Sequence, residues 1–362
     1  MRASSRPRLP ATVAHGWRPR SEAWAANPPS PYAGRPARPL FIGGCPRSGT
    51  TLLQVMLDMH PQLGIPRETN FIRQLWWQRT RFGDLSDPAN RRRAARWILG
   101  DREHHTWRLR REHGIKRRQA VRRIVDAGPT MGSIVEACVR LHADPKPRWG
   151  DKRPAYSGFI VPLLAMFPDA QYVNVVRDPR GAVASQLGLG WDAEAVAVPA
   201  ATARWEGAIA RTDQTVRRLG PDQLLDVRYE DLVADPRAEL ERILAFAALP
   251  GGDVVETMIS GERHGEFGGV HELVAEPVTT ASIERWRERL SPQEIALVEH
   301  GTKELMERFG YRPIHEAEPE PHAVRELARQ RRLNRREWRR TQRDEFVRRL
   351  RYRKPVVAEG HD

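Results

Sequence analysis

Three observations predict an α/β fold with a central parallel sheet flanked by helices in three layers. The apolar run "PLFIGG" (39–44) passes through a glycine-rich turn into an apolar, helix-patterned stretch at 50–59. "QYVNVVRDPR" (171–180) repeats the sequence of apolar strand, sharp stop and helix. From residue 200 onward, helical and strand-like segments keep alternating. Alternation of this kind sets strands parallel and lays the connecting helices over both faces.

Residues 1–38 are rich in Pro, Ala, Ser and Arg without periodicity, which predicts a disordered basic arm. The strand at 39–44 leads into a helix whose apolar side is Leu52, Leu53, Met56 and Leu57. "QLGIP" (62–66) is a second short strand. Residues 71–142 read as a long, Arg-rich helical insert with four interspersed tryptophans, and "WGDKRP" (149–154) as a polar turn after it. Asp178-Pro179 stops the strand at 171–180 and "GAVASQL" opens a helix. Residues 200–219 are helical, "QLLDVRYEDL" (223–232) is a strand entering a turn that holds Glu230 and Asp231, and 236–247 is helical. Ser291-Pro292 with Glu294 at capping-box spacing opens a helix over 291–308. Residues 320–354 form a strongly basic helix. The organisation expected is an arm (1–38), a catalytic-sized domain (39–313) containing the insert, and a basic helical tail (314–362).

A chain of 362 residues, 40% apolar with mean hydropathy −0.62, is globular with much solvated surface. No run approaches the ~20 apolar residues that cross a bilayer. The N-terminus is positive but lacks an apolar core behind it, so no secretory signal is read and a cytoplasmic location is expected. Two cysteines, Cys45 and Cys138, make no framework, and Cys45 reads as a small packed residue. The net charge of +14 is uneven: residues 1–38 carry +6, residues 325–354 carry +10, and residues 39–324 sum to zero. Within that neutral body, 73–123 hold sixteen basic and five acidic residues. Such a basic lobe suits an anionic partner, and equally a solvated helical face.

"FIGGCPRSGTTLLQ" (41–54) carries the chemistry. A strand, glycine-rich turn and helix present backbone N–H groups and a positive helix end to an anion. Gly43, Gly44 and Gly49 permit close approach. Ser48, Thr50 and Thr51 add hydroxyl donors, and Arg47 adds a fork suited to phosphate oxygens. The lysine that nucleotide triphosphatases aim at the β- and γ-phosphates is missing, with Thr50 at its position. A second grip is expected where Arg177 ends a strand and Ser185 lies on the next helix. Two separate phosphate grips imply a ligand phosphorylated at two ends, such as an adenosine 3′,5′-bisphosphate group.

"CPRSGTT" followed by "VVRDPRGAVAS" resembles the paired phosphate-binding motifs of the sulfotransferases, in the branch that includes the tyrosylprotein sulfotransferases and bacterial enzymes. The resemblance covers residues 39 to about 312. It implies a P-loop-like fold and 3′-phosphoadenosine 5′-phosphosulfate (PAPS) as donor. It places donor binding on Pro46, Arg47, Ser48, Gly49, Thr50 and Thr51, and the 3′-phosphate on Arg177 and Ser185. "IPRETNFI" (65–72) resembles the segment bearing the general base, which assigns that role to Glu68. "WGDKRP" resembles the segment whose lysine faces the sulfuryl group, which assigns that role to Lys152. "RYEDL" and "EPVTTASIERW" (276–286) resemble later family segments, but Glu276 stands where the tyrosylprotein enzymes carry a donor-contacting lysine. Trp205 is a candidate for stacking on adenine, with a core position as the alternative.

The resemblance thus implies sulfuryl transfer to a hydroxyl, with Glu68 as base and with Arg47, Thr50 and Lys152 steadying the leaving phosphate. No metal is expected, since His104-His105 is too closely spaced for a ligand pair. The Arg/Ala-rich composition points to a bacterial enzyme; carbohydrate, glycolipid, phenol and peptide tyrosine are all open as acceptors, a carbohydrate, lipid-linked or small metabolite being favoured for a bacterial enzyme, with the pocket shaped by 71–142 and 186–200. Two rival readings stand: a kinase-like phosphotransferase, and a non-enzymatic protein whose basic tails hold a polyanion or the inner membrane face, with no specific nucleic acid.

Overall fold

The computed structural model describes residues 38–100, 106–143, 145–187, 196–216, 219–220, 222–260, 278–314 and 317–360. Residues 1–37 of the expected arm, His104 and His105, Glu276, and 188–195 of the stretch expected to shape the acceptor pocket lie outside the described residues. Arg38, assigned to the arm by composition, is buried and donates to the Asp169 carbonyl.

Five parallel strands form the sheet: β1 (Leu40–Gly44), β2 (Leu63–Gly64), β3 (Arg148–Lys152), β4 (Gln171–Val176) and β5 (Leu224–Arg228), in the order β2-β3-β1-β4-β5. Every residue of β1 is buried, and alternation sends its side chains to two different cores. Phe41 packs edge-on against Trp149 and Tyr156. Leu40 and Ile42 join Val173, Val175, Leu225 and Val227 on the opposite face. That second face is covered by α1 (Thr50–Asp58), α10 (Tyr229–Ala234), α11 (Pro236–Phe246) and α12 (Asp253–Ser260). The first is covered by α2 (Phe71–Gln78), α3 (Pro88–Ile98), α4 (Trp107–His113), α5 (Arg117–Val125), α6 (Met131–His142) and α7 (Ile160–Met166). The three predicted layers are therefore present, and the helical insert is the crossover between β2 and β3. α8 (Pro179–Leu187), α9 (Val198–Val216), α13 (Trp286–Arg289), α14 (Pro292–Arg308) and α15 (Pro321–Arg351) complete the described helices. Ser291 and Glu294 form the predicted capping box of α14.

Two expectations are corrected. The polar turn "WGDKRP" is mostly strand β3, wholly buried between β2 and β1. Its polar side chains are tolerated there because each finds a partner: Asp151 accepts from Tyr156 and Thr69, and Lys152 donates to Glu68. The turn expected after β5 is α10, and Glu230 within it is buried, accepting from the Asp178 amide and the Tyr311 hydroxyl.

The basic C-terminal segment packs onto the rest of the chain. Leu327 of α15 enters the core formed with α8, α9 and α14. Farther along, Glu345 takes a two-pronged bond from buried Arg79, at 2.8 and 3.1 Å. Beyond the helix, the Val356 carbonyl accepts from Gly132 and the Ala358 amide donates to Met166. Replacing Glu345 by Gln strands the Arg79 charge in a dry site. Removing one partner of a buried pair destabilises by about 3–5 kcal/mol. Urea unfolding of Glu345→Gln is expected to show a loss of that order, and a loss below about 1 kcal/mol would place the pair in effective contact with solvent.

β1 is central, and the chain leaves it toward β2 and β3 on one side and toward β4 and β5 on the other. The crevice beyond the carboxyl ends of β1 and β4 is where parallel sheets of this kind bind ligands.

Candidate active site

The loop between β1 and α1 occupies that crevice. Gly44 has φ +148°, and a Cβ there would stand 2.3 Å from the Val175 carbonyl oxygen. Gly49 has φ +92°, and its Cβ would meet the Tyr229 ring at 2.3 Å. Both positions therefore need glycine. Gly49, before α1, has no side chain to cap the helix, and the first turn of α1 holds no acid, so its amides and positive end face the crevice. The Ser48 hydroxyl is buried without a partner among the described residues.

Arg47 links the two predicted phosphate grips. Its Nε donates to Ser185 Oγ at 3.1 Å, and its carbonyl accepts from Arg177 Nη1 at 3.1 Å. Ser185 and Arg177, the residues of the expected second grip, both bond to Arg47, giving a chain Ser185–Arg47–Arg177. Arg177 Nη2 donates to the Ser282 carbonyl at 2.7 Å, and its guanidinium lies 4.4 Å over the Tyr229 ring. The Tyr229 and Ser282 hydroxyls sit 2.5 Å apart. Arg177 Nε is buried and unpartnered among the described residues. Burial first, and then repulsion from Arg177, depress the Arg47 guanidinium from its ordinary value. Two cations held together in a part-dry crevice are relieved by a bound anion.

The second cluster adjoins the first. Lys152, at the end of β3, donates from Nζ to Glu68 Oε2 at 2.8 Å and to Thr51 Oγ1 at 3.2 Å. Glu68 and Lys152, taken from separate motifs, are thus in contact. The Lys152 side chain is 3% exposed and that of Glu68 38%, so the carboxylate remains open to an incoming acceptor. Arg153 lies 3.7 Å from Glu68 Oε1, and Arg108 of α4 donates to the Glu68 carbonyl at 3.1 Å.

Sequence reasoning missed Tyr229, Ser282, Arg108, Asp151 and Tyr156. Tyr229 stands in "RYEDL", which drew attention as a segment, but only the fold brings its ring beneath Arg177. Trp205 does not reach the crevice: it is fully buried and donates to the Arg177 carbonyl at 2.9 Å, steadying the strand end. Burial pushes the Cys45 thiol up to about 12, which removes it as a nucleophile.

Asp151 precedes Lys152 on β3 and accepts from Thr69, the neighbour of Glu68. Burial pushes its carboxyl up to about 7, while the bonds from Tyr156 and Thr69 act in the opposite direction. The folded protein then keeps a proton that the unfolded chain, with an ordinary value of 3.8, has released. Stability from this group accordingly falls as pH rises from about 4 to about 7, and levels off above. Asparagine can accept from one of these hydroxyls on its oxygen and donate to the other from its nitrogen, without ionising. The melting temperature of Asp151→Asn relative to wild type is expected to climb across that window. A flat difference would show that the carboxyl ionises normally.

Comparison with known proteins decides the class. The model described as "Sulfotransferase family" matches residues 39–253. The chain belongs to this family. It is 27% identical over 261 residues to the protein-tyrosine sulfotransferase of Drosophila melanogaster, covering 68% of this chain and 46% of that one. It is 26% identical over 287 residues to protein-tyrosine sulfotransferase A of Caenorhabditis elegans, covering 76% and 67% respectively. The chain thus spans about half of the Drosophila relative. Among solved structures, the sulfotransferase domain of the Synechococcus PCC 7002 olefin synthase superposes with a TM-score of 0.58 at 27% identity, covering 77% of this chain and 96% of that domain. The P-loop-like fold expected of a sulfotransferase is the fold observed.

Proposed function

We propose that this protein transfers a sulfuryl group from PAPS to an acceptor hydroxyl. The observation that carries the reading is the joining of two clusters in one crevice: Ser185–Arg47–Arg177 on one side, Thr51–Lys152–Glu68 on the other. The first suits the two phosphates of an adenosine 3′,5′-bisphosphate. The glycine cradle, and the Ser48 hydroxyl and Arg177 Nε, which have no partner among the described residues, fit such a group. PAPS supplies the sulfuryl group. Glu68 takes the acceptor's proton as the acceptor oxygen bonds to sulfur. Lys152, Arg47 and the α1 amides stabilise the charge left on the 5′-phosphate as its bond to sulfur breaks. Arg177 holds the 3′-phosphate, a position where ATP has only a hydroxyl.

The acceptor is read as a hydroxyl compound. The curated relatives are named for protein tyrosine, while a sugar or lipid-linked hydroxyl is the acceptor favoured for a bacterial enzyme. Calorimetric titration with adenosine 3′,5′-bisphosphate and with ATP plus magnesium tests the donor reading, and radiolabelled PAPS with a tyrosine peptide or a sugar tests the acceptor. Tight bisphosphate binding with little ATP binding is expected. The reverse preference would make the protein a phosphotransferase.

A further inference from the structure

The solvent side of α15 joins two chemical signals. Among the described residues five large hydrophobic side chains stand well exposed, and four of them belong to this helix: Leu333, Phe346, Val347 and Leu350, at 45, 62, 37 and 53%. At ~3.6 residues per turn, Phe346, Val347 and Leu350 share the side of the helix opposite Leu327 and Glu345. Exposed Arg332, Arg336, Arg339, Arg340 and Arg343 occupy the same side in the preceding turns. No carboxylate falls between them. Glu326, Glu337 and Asp344 sit at its margin, where Glu326 meets Arg329 at 3.1 Å and Asp344 meets Arg343 at 3.6 Å.

The opposite side is anchored. Glu345 is bound to Arg79, while Arg331 donates to Glu206 and to the Gly301 carbonyl, both at 2.6 Å. The helix cannot roll to hide its apolar cluster without breaking these bonds. An arginine face that only served solvation would have no use for exposed Phe346 and Leu350. A second copy of the chain is a poor occupant, because residues 325–354 carry +10 and two such faces repel. A purely charged polymer would leave the apolar cluster in water. A surface with anionic headgroups over an apolar interior satisfies both.

We infer that α15 lies along an anionic bilayer surface, with Phe346, Val347 and Leu350 entering the headgroup boundary and the arginines meeting lipid phosphates. The contact is peripheral, since no described helix is long and apolar enough to cross a membrane. It is independent of the proposed reaction.

The test is co-sedimentation of the full chain with vesicles of phosphatidylcholine alone or mixed with phosphatidylserine. Wild type is expected in the pellet with the mixed vesicles and in the supernatant with phosphatidylcholine alone. The combined Phe346→Ser, Val347→Ser, Leu350→Ser variant is expected to bind mixed vesicles at least ~10-fold more weakly, with an unchanged melting temperature because these side chains are exposed. Combined Arg336→Gln, Arg339→Gln and Arg343→Gln is expected to weaken binding as well. Failure of wild type to sediment would overturn the inference. Full binding by the apolar variant, with displacement by heparin, would overturn it in favour of a charged polymer. A wild-type dimer in light scattering that the apolar variant abolishes would overturn it in favour of a second copy.

Discussion

Glu68→Gln is expected to lower turnover by about 10²–10⁴-fold, the usual contribution of a positioned base, while leaving affinity for adenosine 3′,5′-bisphosphate nearly intact. Glutamine keeps the shape and can still accept from Lys152, 2.8 Å from Oε2, but it cannot hold the acceptor's proton. Losing the negative partner leaves more of the Lys152 charge for the donor, so any change in donor binding should be toward tighter binding. The rising limb of the wild-type pH–rate profile, which reports ionisation of the base, should vanish in the variant. Turnover and donor affinity falling together would show instead that Glu68 serves only to position Lys152. Retained turnover with a retained pH limb would assign the proton to another group.

Arg177→Ala is expected to weaken adenosine 3′,5′-bisphosphate by roughly 10–100-fold, the scale of a lost hydrogen bond to a charged group, and to leave adenosine 5′-monophosphate almost unchanged. The selectivity follows from position. Arg177 directly follows β4, with its guanidinium stacked on Tyr229 and Nε facing no partner among the described residues, whereas the 5′-side donors belong to the β1–α1 loop. Arg177 also donates to the Arg47 and Ser282 carbonyls, so a second measurement is needed. Arg47→Ala, measured in parallel, should weaken both ligands. If Arg177→Ala costs both ligands equally, the arginine braces the loop rather than reading the 3′-phosphate.

Local pattern carried much of this protein. Apolar alternation, glycine where φ is positive, hydroxyls at a helix start and the Ser291–Glu294 capping box are contiguous features, and each was legible in the chain. β3 was hidden because local composition reads Gly-Asp-Lys as a turn. Those groups are buried only because Tyr156, Thr69 and Glu68 arrive to satisfy them. α10 was hidden similarly, with Glu230 buried only because Tyr311 and the Asp178 amide reach it.

The sequence by itself determined the layer architecture and the basic character of the C-terminus, and it offered the β1–α1 loop and Arg177 as anion-binding candidates; the family resemblance added Glu68 and Lys152. All of these rest on neighbours along the chain or on motifs a few residues long. Only the tertiary structure decided how they combine. Glu68 and Lys152 are 84 residues apart, Arg47 and Ser185 are 138 apart, and Arg79 and Glu345 are 266 apart. Such contacts are set by sheet order and helix packing rather than by any local preference. For the same reason composition could show that the last helix is basic, but only its docking through Leu327, Arg331 and Glu345 decided which side it turns to the solvent.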